Sequence, residues 1–358
     1  MRNENIKHVP GVLVLEKFKN MSAINYQMWG KALRTIPRIS KEEWINLDII
    51  SKWLIATRSA VFVMTALAAA IGGIMALTAG TFYVFNFLAA MIGLMFAHAS
   101  NNLLNDLVDS SKGVDKGNYY RSLYGPQTVE HGLLSRGGML KYISVTLLIA
   151  VASGVFLISQ TGIGTLYLML AGLFFLLFYT WPLKYIGLGE LTVIMVWGPL
   201  MVGGTYYVST GGEWSWPVAI IGLIYSLGPT SVLFGKHIDK SKEDRKKKVY
   251  TLPVLLGEKN SRISTIILWI LQYAMVAWLI ISGAAGYSLA IVLFAIPTFF
   301  KIAGVFSKPR PTEKPEGKIG ESWPLYLVHQ AFIYNKRFGS LFLLGLIIDL
   351  ILTRSGIF

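Results

Sequence analysis

The sequence contains no cysteine, which excludes disulfides, thiol catalysis and cysteine-ligated metal. Charge is also scarce. Only 15% of the 358 residues are Asp, Glu, Lys or Arg while 54% are hydrophobic, too little polar surface for a soluble chain of this length. Acid is the scarcer sign, with 19 Asp and Glu against 33 Lys and Arg. The surplus of 14 positive charges raises the question of nucleic acid, and its distribution answers it. Lys and Arg crowd the N-terminal segment and the loops after the second, fourth, sixth and eighth apolar runs. The alternate loops near Gly80, Gly162, Gly211 and Ala284 have none. This is the positive-inside pattern of a polytopic membrane protein, with anionic lipid as the secondary partner and no nucleic acid.

Nine runs are long and apolar enough to be read as membrane-spanning helices, at roughly 54–79, 82–105, 139–160, 163–181, 188–209, 216–235, 263–283, 286–306 and 338–353. Lipid leaves helix as the economical way to satisfy each backbone amide, so the fold class expected is an all-α integral membrane protein. The charge pattern places the N-terminus and the large loops in the cytoplasm and the C-terminus outside the cell membrane. We divide the chain into a cytoplasmic N-terminal segment, 1–52, and a nine-helix membrane domain, 53–358. About fifty mostly polar residues precede the first run, so no cleavable signal peptide is expected. Within them "MSAINYQMWGKALRTI" reads either as an amphipathic helix lying on the membrane or as a flexible tail.

Eight of the acids fall in two of the basic loops. Asp106, Asp109, Asp115 and Glu130 follow the second run; Asp239, Glu243, Asp244 and Glu258 follow the sixth. If the second helix continues through "NNLLNDLVDSSKGVD", then Asn102, Asp106 and Asp109 stand at i, i+4 and i+7 on one face, with Asn105 on the same arc. Clustered carboxylates repel unless a cation joins them. An all-oxygen set without His or Cys suits Mg²⁺, which commonly bridges one or two carboxylates to a substrate phosphate. Neighbouring Lys and Arg could take the remaining phosphate oxygens. The bland alternative is a pair of solvated helix ends.

"NDLVDSSKGVD" and "HIDKSKEDRKKKVYTLPVLLGE" resemble the two aspartate-rich motifs of the UbiA superfamily of membrane prenyltransferases. Within it, "YGPQTVEHGLLS" and "YTWPLKYIGLGELTVIMVWGPLMVGGTYYV" are similar to the menaquinone-pathway branch, the 1,4-dihydroxy-2-naphthoate polyprenyltransferases. The resemblance implies nine helices around a central cavity and Mg²⁺-dependent transfer of a polyprenyl chain from its diphosphate to an aromatic acid. It implies Asp106, Asp109, Asp239 and Asp244 as catalytic metal ligands. Asn102, Asn105, Arg58, Asp115, Lys116, Arg121, Tyr179, Lys184, Lys236, Glu243 and Arg245 are the implied substrate-binding set. A 4-hydroxybenzoate acceptor, a non-catalytic quinone- or lipid-binding role and a transporter stand as alternatives.

One departure concerns the second motif. The family spaces its aspartates as DxxxD, whereas Asp239 and Asp244 stand five apart. On a continuous helix Glu243 faces with Asp239, and Asp244 points about 140° away. Either the chain is not helical there or Glu243 is the ligand. Outside the motifs, His98 reads as a hydrogen-bonded core residue and Glu190 as a structural acid at a helix start. Asp349, inside the ninth run, has no evident partner.

Overall fold

The computed structural model describes residues 24–114, 116, 125–317 and 322–356. Among them every regular element is a helix. Three short helices come first: α1 Tyr26–Arg34, α2 Lys41–Ile45 and α3 Ile49–Ala56. The long apolar helices are α4 Phe62–Thr78, α5 Val84–Ser111, α6 Arg136–Thr161, α7 Ile163–Phe178, α8 Gly189–Ser209 and α9 Trp216–Asp239. After the short α10 Ser241–Lys246 come α11 Leu252–Ile281, α12 Ile296–Phe306 and α13 Tyr326–Arg354. Seven of the described helical segments are long and apolar enough to cross a bilayer, and α7 is a shorter apolar helix. The chain is an integral membrane protein of all-α fold.

Burial sorts these helices. In α9, 78% of the central window is covered by protein, against 17% in α6. α9 is therefore the hub and α6 a lipid-facing wall. Small residues let the hub pack closely, as expected where lipid removes the hydrophobic drive between helices. A Cβ on Gly222 of α9 would meet the Gly198 carbonyl of α8 at 2.8 Å, and one on Gly235 would meet the Leu327 carbonyl of α13 at 2.8 Å. Aromatic rings fill the far side of the hub, where Trp269 of α11 packs on Tyr334 of α13 at 4.7 Å between centroids. Between Val196 and Gly203, α8 widens into π-helical turns around Pro199, which has no amide proton to donate.

The expected first span, 54–79, is two pieces. α3 stops at Ala56, Arg58 adopts a left-handed backbone (φ 55°, ψ 50°), and α4 starts at Phe62. A non-glycine residue seldom takes that conformation, and the contacts that hold it are described below. The ninth helix starts twelve residues before the expected 338, at Tyr326. Asp349 finds its partners across the bundle: it accepts from the Gly286 amide and the Ser288 hydroxyl, both at 3.2 Å, and so caps the turn that leads into α12.

The N-terminal helices form a second core. Ala32, Trp44, Leu47 and Ile55 pack with Leu103 of α5 and Met139 of α6. Asp48 ties this unit together, accepting from Trp29 Nε1 at 3.1 Å, the Asn25 amide at 3.2 Å and the Ser51 hydroxyl at 2.5 Å. Burial alone would raise its pKa. The hydrogen bonds prevail and hold it at about 2.

Candidate active site at the mouth of the cavity

Helix α5 does continue through the first acid cluster, as its spacing predicts. Asn102, Asn105, Asp106 and Asp109 therefore share one end of one helix, and all but the half-buried Asn105 are buried. Two cations reach this end from other elements, and a third pairs with the second cluster. The left-handed turn at Arg58 carries its guanidinium onto Asp106 Oδ1. That turn is held from both sides: Asn102 Nδ2 donates to the Thr57 carbonyl at 2.8 Å, and the Ser59 hydroxyl donates to the Ala32 carbonyl at 3.0 Å. Lys184, on the turn between α7 and α8, donates to both oxygens of Asp109 at 2.8 Å. Lys240, between α9 and α10, donates to Asp244 Oδ1 at 2.9 Å.

The second acid cluster resolves the spacing problem. α9 ends at Asp239, and Lys240 leaves the helical region (φ −110°, ψ 12°) before α10 begins. The chain is thus not one helix across the motif. Asp244 turns inward and is fully buried, with no hydrogen-bond partner for Oδ2 among the described residues. Glu243 turns outward to Lys246 at 2.8 Å. Asp239 is held by α13 and Arg310. Its Oδ1 accepts from Arg310 Nε at 2.8 Å and the Leu327 amide at 3.1 Å, and its Oδ2 from the Val328 amide at 3.0 Å. It caps the N-terminus of α13. Gly235, one turn earlier on the same face, allows that close approach.

Other expected residues fall in several places. Tyr179 and Lys236 line the cavity. Arg245 is exposed and donates to the Val254 carbonyl at 3.0 Å. Lys116 is exposed, and its carbonyl accepts from Lys247 Nζ at 3.1 Å. The same Lys247 ammonium reaches the Gly113 carbonyl at 3.1 Å and so clamps α10 onto the first acid loop. Asp115 and Arg121 lie outside the described residues. His98 accepts or donates through Nδ1 to the Thr65 hydroxyl at 2.7 Å, and Glu190 holds His237 Nδ1 at 2.5 Å. Neither Lys240 nor His237 was among the residues expected at the site. Lys240 could have been found: Pro229, Val232, Leu233 and Lys236 form the cavity stripe of α9, and the next position on that stripe is 240.

The cavity has a volume of about 510 Å³. Arg58, Asn101, Asn102, Asn105, Tyr179 and Lys236 line its polar end, and Ile36 roofs it. From there it runs along α5 to Ala90, a length of roughly 22 Å at 1.5 Å rise per residue. Leu147, Leu168, Leu176 and Leu200 are among its apolar walls, and Trp197 and Phe332 give it aromatic faces. Burial lowers the pKa of Lys184. Asp109 pulls it back up, and Lys240 pushes it down again. A buried lysine so placed is a strong partner for further negative charge.

The sequence profile of the UbiA prenyltransferase family matches residues 63–318. The chain belongs to this family. Curated relatives are distant and match over about two thirds of their length. UbiA prenyltransferase domain-containing protein 1 of Mus musculus is 26% identical over 236 residues, 64% of this chain and 67% of the relative. The 1,4-dihydroxy-2-naphthoate octaprenyltransferase of Escherichia coli (strain K12) is 29% identical over 223 residues, 59% of this chain and 70% of that one. Among solved structures, the apo UbiA homolog from Aeropyrum pernix K1 superposes with a TM-score of 0.59 at 15% identity, over 81% of this chain and 98% of that one. The UbiA homolog from Archaeoglobus fulgidus bound to GPP and Mg²⁺ gives 0.52 at 13% identity, over 81% and 99%. The UbiA fold is thus shared, and the chain is a membrane prenyltransferase.

A divalent cation is implied by the family. Among the described residues no three His, Asp or Glu side chains gather as a preformed metal cluster. That is compatible with Mg²⁺, which needs one or two carboxylates and completes its shell with water and phosphate. Asp106, Asp109 and Asp244 offer hard oxygen donors at the mouth. The buried Oδ1 atoms of Asn101 and Asn105 and Oδ2 of Asp244 have no hydrogen-bond partner among the described residues. The residues fit the ion; Asp239, already triply engaged, does not contribute to that fit.

Proposed function

We propose that this UbiA-family enzyme transfers a polyprenyl chain from its diphosphate to 1,4-dihydroxy-2-naphthoate. One observation carries the reading: Arg58, paired with Asp106, and Lys236 stand at the polar end of a long apolar cavity, and the Lys184–Asp109 and Lys240–Asp244 pairs complete the buried charged cluster. A prenyl diphosphate has that same division, with an anionic head and a hydrocarbon tail. Arg58, Lys184 and Lys236 bind the head, and the cavity along α5 takes the tail. Asp106, Asp109 and Asp244 would hold Mg²⁺, which when bound neutralises the diphosphate and improves it as a leaving group. Asn105 and Asn102 orient the head from α5. As the C–O bond breaks, its electron pair departs with the diphosphate. The allylic cation left behind lies within reach of the Trp197 and Tyr179 faces, which stabilise positive charge. The acceptor carbon attacks, and its carboxylate leaves as CO₂.

The naphthoate is supported by the similarity to the Escherichia coli octaprenyltransferase and by the "GP…GLLS" and "GLGE" stretches. The basic loops put the mouth on the cytoplasmic side. The N-terminal segment caps this mouth as a peripheral unit. Detergent-purified protein with Mg²⁺, geranylgeranyl diphosphate and 1,4-dihydroxy-2-naphthoate should release CO₂, diphosphate and a prenylated 1,4-naphthalenediol. It should prefer this acceptor to 4-hydroxybenzoate by about tenfold, or roughly 1.4 kcal/mol of differential transition-state binding. Equal or faster turnover of 4-hydroxybenzoate would refute the acceptor and leave prenyl transfer standing.

A further inference from the structure

The two acid clusters do not make equivalent contributions to the mouth. The first presents two carboxylates from α5. The second presents one, Asp244, because Asp239 is spent on α13. Where a second inward carboxylate would stand, the α9 stripe delivers Lys240. Its side chain is nine-tenths buried, and its ammonium lies on Asp244 Oδ1 at 2.9 Å. The side chain's burial and its contact with the fully buried Asp244 put it inside the cluster and not on its rim. Among the described residues Arg58, Lys184 and Lys240 pair with Asp106, Asp109 and Asp244, so each of these carboxylates already has a tethered counter-cation.

Holding two divalent ions around one phosphate group takes carboxylates on both sides of it. Here one side has a single carboxylate already neutralised by a covalently tethered ammonium. Resting on the prenyl-diphosphate reading above, we propose that Lys240 is a fixed counter-cation of the diphosphate head, and that the site closes with one divalent cation per chain. A buried ammonium needs no coordination geometry and has already shed most of its water, so it holds the head in place even before the metal does.

The test counts Mn²⁺ bound to the purified wild-type protein saturated with geranyl S-thiolodiphosphate, a donor whose C–S bond resists cleavage. One Mn²⁺ per chain is expected; two would overturn the proposal. In a second arm, affinity for the same analogue is measured without divalent ion. Lys240→Gln keeps a hydrogen bond to Asp244 and should bind about tenfold more weakly, while Lys240→Arg should stay close to wild type. Unchanged affinity in Lys240→Gln overturns the role of Lys240 alone. Wild-type protein that binds no analogue with or without Mn²⁺ overturns the diphosphate reading, and this inference with it. The Mn²⁺ count needs no variant and stands even if Lys240→Gln folds poorly.

Discussion

The two acid-rich segments look alike in composition and are used differently. The first lies on an unbroken helix, so its residues at i, i+3 and i+4 stay on one face and reach the cavity mouth together. The second straddles a break at Lys240, so adjacent acids diverge: Asp239 to α13, Glu243 to the surface, Asp244 to the site. Similar acid-rich segments thus supply two buried, cation-paired carboxylates on one side, and on the other a mixture of buried carboxylate, helix cap and surface pair. Helix continuity separates the two outcomes more than the count of acids does.

The largest effect should come from the first segment. Asp106→Asn or Asp109→Asn removes a charge opposite Arg58 or Lys184 and an oxygen donor for the metal. Prenyl transfer should fall by at least about a hundredfold, read as kcat/KM for the diphosphate donor. Near-normal activity in either would remove the ground for treating α5 as the catalytic side. Next comes Asp244→Asn, with a loss of about tenfold or more and a higher Mg²⁺ requirement; an unchanged Mg²⁺ titration would move Asp244 out of the site. Asp239→Asn should act differently. Weakening its contacts with Arg310 and two α13 amides should cost about 1–3 kcal/mol of stability, seen as a lower thermal transition, with the Mg²⁺ dependence of the folded enzyme unshifted. A shifted Mg²⁺ dependence at full stability would make Asp239 a ligand and erase the contrast. Smallest of all, Glu243→Gln should leave rate and stability within about 0.5 kcal/mol, as for other exposed pairs.

Much of the fold was legible in the sequence because lipid enforces it: apolar length and loop charge predict helices and their order without tertiary detail. The first half of the site was legible for a related reason, since helical spacing alone gathers Asn102, Asp106 and Asp109. The second half was harder. Its reading rested on motif spacing, while the structure follows the stripe of α9 that begins at Pro229 and passes Lys236 to Lys240. Arg58 was expected in the substrate-binding set from the family resemblance, but its left-handed turn depends on Asn102 and Ala32, far away in the chain. The partners of Asp349 lie more than sixty positions back, beyond the reach of any periodicity.

The family match begins at residue 63, yet Arg58 and the roof at Ile36 precede it. On the function proposed, the family match and the catalytic site therefore have different borders in this molecule. A chain trimmed to its membrane bundle would keep the spans and the tail cavity while losing the guanidinium on Asp106 and the cover above it. Substitutions around Asp48, which knits the roof together some distance from any bound head, should surface as weaker handling of the donor and not as a missing helix. On the function proposed, the N-terminal unit governs how the mouth receives its substrate, while the helical bundle carries the fold.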